Sequence, residues 1–188
     1  MHFGKRGFTL VELMVVVAIS AIALGIAVPS FRSVIQGNQS DAVAMDLRAA
    51  INLAREEAIR TRGVAALCPR AADRAGEPYC SGTGDWSHGW LVLTLPSTGS
   101  VTTCPTTSNT NVVRAFDPPD STARQIAITA SSVQKSCLRF GATGLPASNF
   151  AGLTFTVAFP GDGKVSCLVL SSAGRLRRED KTGTSCNG

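Results

Sequence analysis

Residues 8 to 28, FTLVELMVVVAISAIALGIAV, form a 21-residue apolar run interrupted only by Thr9, Glu12 and Ser20. About 20 apolar residues of helix cross the hydrocarbon core of a bilayer, so the run is long enough to span one. Lys5 and Arg6 stand just before it, and a basic flank favours a cytoplasmic N-terminus with the rest of the chain outside. A secretory signal peptide has a shorter apolar stretch, about 7–15 residues, and a small-residue cleavage site beyond it. Here the run is longer, contains a carboxylate, and is followed by PSFRSVIQG. An acidic side chain deep in a membrane helix costs roughly 2.5–3.5 kcal/mol on insertion scales, so it is kept for a partner or a function. Cleavage after Gly7 would supply that partner, because it creates a new amine at Phe8 four residues before Glu12.

The stretch Gly7-Phe8-Thr9-Leu10-Val11-Glu12-Leu13 resembles the processing site and membrane helix of type IV prepilins and type II secretion pseudopilins. The resemblance implies that a prepilin peptidase cuts after Gly7 and that the Phe8 amine is methylated. It also implies that Glu12 pairs with the Phe8 amine of a neighbouring subunit during assembly. Residues 1–7 are then a leader, 8–28 a transmembrane and filament-core helix, 29–62 an amphipathic continuation, and 63–188 a β domain outside the inner membrane. The implied course is from a single-pass inner-membrane protein with a periplasmic globular domain to a subunit at the pilus tip. The implied partners are the peptidase and other minor and major pilins or pseudopilins.

The continuation is legible by period. Pro29 removes a helix hydrogen bond and predicts a kink. After Gly37, the residues Val43, Leu47, Ala50, Ile51, Ala54 and Ala58 recur at three- and four-residue spacing as one apolar stripe, which predicts a helix packed on a domain. Gly63 reads as its C-terminal stop. Beyond it, residues 90–95, 112–116, 125–129, 137–140, 153–159 and 165–170 are β-type runs bounded by Gly, Pro, Ser and Asn. Pro160-Gly161-Asp162-Gly163 reads as a hairpin turn. The fold class expected is α+β, a pilin fold with a long N-terminal helix on an antiparallel sheet domain with disulfides.

All six cysteines, Cys68, Cys80, Cys104, Cys137, Cys167 and Cys186, lie beyond the membrane run. An even count in an oxidising compartment predicts bridges. No C-x-x-C pair exists and His88 is the one histidine beyond the leader, so zinc is not expected. Six cysteines allow 15 pairings. Cys68 and Cys80 flank a turn-rich loop and are assigned to each other; strand position and elimination give Cys137–Cys167 and Cys104–Cys186.

The segments Leu67-Cys68-Pro69, Trp86-Ser87-His88-Gly89-Trp90-Leu91-Val92 and Ser172-Ala173-Gly174-Arg175 narrow the resemblance to the GspH/FimT group of minor pilins. Trp86 and Trp90 read as core anchors. The stretch Gly174-Arg175-Leu176-Arg177-Arg178 resembles the GRxR element of the FimT-type minor pilins, which bind DNA for uptake in natural transformation. In an extended strand Arg175 and Arg177 share one side, about 7 Å apart, while Leu176 turns to the sheet. Planar guanidinium forks at that spacing suit phosphate oxygens, and Arg178 stands next to them.

Arginines on an edge strand also serve simply to keep a sheet edge solvated, and Glu179 and Asp180 follow immediately. Three or four phosphate contacts predict sequence-blind, micromolar binding with a log–log salt slope of about −3. Lys135, Arg139, Lys164 and Lys181 are candidates to extend the patch. Net charge argues little. The chain carries 18 basic against 13 acidic side chains, and losing Lys5 and Arg6 leaves a net of +3.

No enzyme is expected. The chain has no G-x-S-x-G, no phosphate-binding glycine pattern and no metal signature, and no cofactor is implied. Asp117-Pro118-Pro119-Asp120 lacks the ligand run of a calcium loop. Two functions stand: a minor type IV pilin that binds DNA, and a structural minor pilin or type II secretion pseudopilin that primes assembly.

Overall fold

A computed structural model describes residues 8–71, 78–96, 104, 106, 111–117, 127–131, 135–147, 150–158 and 163–186, excepting the side chains of 28–33, 35, 36 and 131. It divides into two compact units, Met1–Gln36 and Gly37–Gly188. One helix, α1 (Leu10–Thr61), enters both.

In the first unit the Glu12 backbone N–H donates to Thr9 Oγ1 at 3.2 Å, so Thr9 is the N-cap and Glu12 the third helical residue. That spacing is the Thr-x-x-Glu pattern of a capping box, and a carboxylate there complements the positive end of the helix dipole. The span Leu10–Ala27 has a mean hydropathy of 2.6 and none of it is buried. The helix is assigned without a break through Pro29; the kink expected there falls in the stretch 28–33, outside the described side chains.

In the second unit α1 buries the predicted stripe. Val43, Leu47, Ala50, Ile51, Ala54 and Ala58 join Ala44 in the main core. The helix ends at Thr61, and its left-handed stop comes one residue before the expected glycine. Arg62 takes the left-handed conformation at φ 49°, its N–H bonds to the Ile59 carbonyl, and the Gly63 N–H bonds to the Ala58 carbonyl. This is a Schellman cap with arginine at the position glycine usually fills.

Among the described residues two antiparallel four-stranded sheets follow, where the sequence suggested one. The strands are β1 (Val64–Pro69), β2 (Trp90–Leu95), β3 (Val112–Phe116), β4 (Ala127–Ser131), β5 (Leu138–Phe140), β6 (Leu153–Ala158), β7 (Lys164–Leu170) and β8 (Leu176–Thr182). Their orders are β3-β2-β1-β5 and β4-β6-β7-β8. Inward residues of both sheets, among them Leu67, Trp90, Phe140, Phe155 and Leu168, meet α1 in the main core. Trp86 is fully buried there, edge-on to Phe155 at 4.9 Å, and donates Nε1–H to the Lys135 carbonyl at 2.9 Å. The fourth strand, Ala127–Ser131, overlaps the expected 125–129, of which 125 and 126 lie outside the described residues, and is in register with β6 from Ala127↔Ala158 to Ser131↔Thr154. The hairpin residues Pro160, Gly161 and Asp162, the loop 97–103, the pair Pro118-Pro119 with Asp120, and the leader lie outside the described residues.

All six cysteines are bridged. Cys68–Cys80 pairs as expected, but the other two bridges are Cys104–Cys137 and Cys167–Cys186. The expected Cys137–Cys167 and Cys104–Cys186 are incorrect for a geometric reason. Cys104 and Cys137 belong with Ala66, Leu91 and Leu93 in a cluster on the outer side of the first sheet. Cys167 and Cys186 form a separate cluster with Val165 on the second. A bridge between the sheets would have to cross the main core between their inner faces.

Candidate nucleic-acid interface

The stretch Ser171 to Arg178 is built around one turn. The Gly174 N–H bonds to the Ser171 carbonyl at 2.9 Å, the Ser171 N–H bonds to the Arg175 carbonyl at 2.9 Å, and Gly174 has φ 77°. This is a three-residue hairpin loop with its left-handed position held by glycine. The Ser171 hydroxyl accepts from the Arg175 N–H at 3.1 Å, fixing the first residue after the turn. Gly174 is also closely approached: a Cβ there would lie 3.0 Å from both Arg55 Nη2 and Pro146 Cδ.

Arg55 lies beside the apolar stripe of α1 and has a structural task that helical period alone does not reveal. Its Nη2 donates to the Gly174 carbonyl, and its guanidinium lies 5.4 Å from the centroid of Phe140. The helix therefore grips the turn that presents Arg175.

The β7–β8 register pairs Leu170↔Leu176, Val169↔Arg177, Leu168↔Arg178, Cys167↔Glu179 and Ser166↔Asp180. Leu168 and Leu170 face the main core, so Leu176 packs against that core while Arg177 and Glu179 occupy the outer face. Arg175 and Arg177 are exposed. Arg177 shares an ion pair with Glu179 at 3.0 Å, with 64% of the arginine side chain still accessible, a contact that contributes little to stability.

Arg178 stands differently. Its guanidinium reaches Asp41 on α1, Asp180 at 3.0 Å and the Ser166 hydroxyl at 3.1 Å, and only 22% of its side chain is accessible. Burial pulls its pKa down, but Asp180 and Asp41 outweigh that and raise it. Burial likewise opposes ionisation of Asp180, yet the Ser166 hydroxyl and Arg178 hold its carboxyl below the usual value. Arg178 is thus a strut between α1 and β8, which removes it from the arginines available to an external phosphate. Further along the β7–β8 hairpin, Lys164 of β7 and Lys181 of β8 line an open cavity of about 380 Å³ with Asp41 and Asp180. Lys181 Nζ donates to the Cys186 carbonyl at 3.1 Å. Arg139 lies on β5, where burial lowers its pKa, and Lys135 shields Gly84; neither is on β8.

Asp85 and His88 line a cavity of about 360 Å³, and Ser87 bonds to Asp85 beside it. The Ser87 hydroxyl donates to Asp85 Oδ1 at 2.6 Å, and His88 Nδ1 is 3.4 Å from Asp85 Oδ2 and 3.2 Å from the Ser87 hydroxyl. The serine therefore donates to the carboxylate, and one imidazole nitrogen faces both neighbours. A triad needs serine on one nitrogen and carboxylate on the other. The sulfurs of Cys68, Cys80 and Cys104 lie within 4.8 Å of one another, but all three are in disulfides and offer no thiolate.

The family model described as type II transport protein GspH matches residues 43–174. The chain belongs to the GspH/FimT family. A second model, the prokaryotic N-terminal methylation motif, matches residues 3–28. This GspH/FimT subunit is therefore a minor pilin or pseudopilin, of a structural family rather than an enzyme family, with other pilins and the prepilin peptidase as the partners its motif implies. Among curated proteins none matches. Two crystal structures of the type IV minor pilin FimU of Pseudomonas aeruginosa PAO1 share the fold. One is 24% identical with a TM-score of 0.53, over 80% of this chain and 97% of that one. The other is 23% identical with a TM-score of 0.50, over 78% and 98%. The GspH match ends at Gly174, so family membership itself does not extend to Arg175 and Arg177.

Proposed function

We propose that this subunit is a minor type IV pilin that binds DNA without sequence preference through Arg175 and Arg177, positioned by Gly174, and serves DNA uptake at the pilus tip. In this reading the leader is removed after Gly7, Phe8 is methylated, and Glu12 guides insertion by pairing with a neighbour's Phe8 amine. The globular unit is periplasmic before assembly.

The observation that carries the reading is the divided fate of the three arginines. Arg178 is consumed by Asp41, Asp180 and Ser166, whereas Arg175 and Arg177 stay exposed on a turn and strand edge held from behind by Arg55 and Arg178. A rigid backbone presenting accessible guanidinium groups is suited to phosphate recognition. The Arg177–Glu179 pair favours the second reading, an assembly subunit of a pilus or secretion system whose arginines keep the sheet edge solvated. Titration of the isotope-labelled protein with a short DNA duplex, followed by amide NMR, separates them. The expected shifts centre on Gly174, Arg175 and Arg177; shifts confined to other surfaces, or none, reject the DNA reading.

A further inference from the structure

The flank of α1 that grips β8 carries a further arginine. Asp41 reaches Arg178 near one end of the GRLRR stretch, and Arg55 reaches the Gly174 carbonyl at the other. Arg48 lies seven residues from each. Seven residues of α-helix rotate to within about 20° of two full turns and advance about 10 Å. Arg48 therefore points along the same flank as its two neighbours, midway between them, beside the segment that runs from Gly174 to Arg178. Leu47 and Ala54 lie about 100° and 120° around the helix from Arg48, and Ile51 about 60°; these three are buried, whereas Arg48, at the margin of the buried face, is exposed. Among the described residues it has no carboxylate partner, unlike Arg178, Arg177 and Arg60.

Resting on the DNA reading above, we infer that Arg48 is a third phosphate-binding residue, so that the site straddles the free edge of β8. Arg177 approaches from the outer face of the sheet, Arg175 from the turn and Arg48 from the helix side. A nucleic acid backbone lying along the edge strand meets all three. This restores the phosphate count that the engagement of Arg178 reduces, and it predicts a salt slope of about −3 from three contacts at about −0.9 each. Asp41, facing the same flank, is engaged by Arg178, which limits its repulsion of an incoming phosphate.

The test uses the mature chain in detergent micelles and fluorescence anisotropy on a labelled duplex across a salt series. Arg48→Ala is expected to weaken binding about five- to tenfold at 0.1 M salt and to make the slope shallower by about 0.9. Arg48→Lys retains most of both. Arg114→Ala, on the edge strand of the other sheet, removes the same charge and leaves the slope unchanged. If Arg48→Ala binds as wild type while Arg175→Ala/Arg177→Ala does not bind, the inference about Arg48 is overturned and the DNA reading stands. If wild type itself does not bind, both fall. Equal losses in Arg48→Ala and Arg114→Ala also overturn it, since they report net charge rather than a contact. Unchanged amide spectra in the Arg48 variants exclude misfolding as the cause of any loss.

Discussion

Trp86→Ala is expected to destabilise the globular unit by about 3–5 kcal/mol, the usual range for removing a fully buried large aromatic side chain. Trp86 is completely inaccessible and sits in the main core with residues of α1 and both sheets, so the vacated volume cannot be filled from one side. Its edge-on contact with Phe155 at 4.9 Å contributes roughly 0.5–1.5 kcal/mol beyond area. Its indole N–H also satisfies the Lys135 carbonyl, which the alanine variant leaves without that donor. Urea denaturation measures the loss as a lower midpoint. Trp86→Phe is expected to lose distinctly less, because it keeps the ring and forfeits only the bicyclic volume and the donor. A loss below about 1 kcal/mol for alanine would contradict the packing described, since such values belong to surface positions.

Gly174→Ala is the second large effect, and it ties stability to function. The left-handed conformation costs an alanine about 1–2 kcal/mol. The added Cβ at 3.0 Å from Pro146 Cδ and Arg55 Nη2 forces a rigid ring or the gripping guanidinium to move, at about 1 kcal/mol or more. Gly163 provides the comparison. It has φ 64° with nothing within 4 Å of a Cβ, so Gly163→Ala is expected to show the conformational cost alone. Displacing Arg55 from the Gly174 carbonyl also frees the turn that presents Arg175. DNA affinity should therefore fall in Gly174→Ala, with a salt slope shallower by about 0.9, and hold in Gly163→Ala. Equal stability losses in the two variants would show that crowding by Arg55 and Pro146 is unimportant.

The parts of this molecule that were legible in its sequence are those where one physical signal dominates. Length and apolarity disclosed the helix start, and three-four periodicity disclosed the face that α1 buries, because that face meets a continuous core. β1 escaped notice because it is buried nearly throughout, from Ala65 to Pro69, which erases the alternation by which a strand is recognised. Only the start of β8 was legible as an extended segment: it reads LRREDKT, and a strand this charged carries no apolar alternation. The helix stop was misplaced by one residue because a glycine attracts the assignment even when its neighbour Arg62 takes the strained position. Bridges beyond Cys68–Cys80 depend on which face of which sheet each cysteine occupies, a tertiary fact. At the candidate site, the resemblance to the GRxR element identified Gly174, Arg175 and Arg177 as candidates, with Arg178 beside them. That Arg178 is a strut and that Arg55 and Arg48 flank the strand required the helix to be laid against β8.

The central claim is that exposed Arg175 and Arg177 bind the phosphate backbone of DNA. Its most direct test is fluorescence anisotropy of a labelled duplex with wild type and Arg175→Ala/Arg177→Ala across a salt series. The account predicts micromolar, salt-weakened binding by wild type and, in the double variant, at least a tenfold loss with a slope shallower by about 2. Equal binding by the two proteins, or no binding by wild type at low salt, would contradict it and leave an assembly subunit whose edge arginines only face solvent.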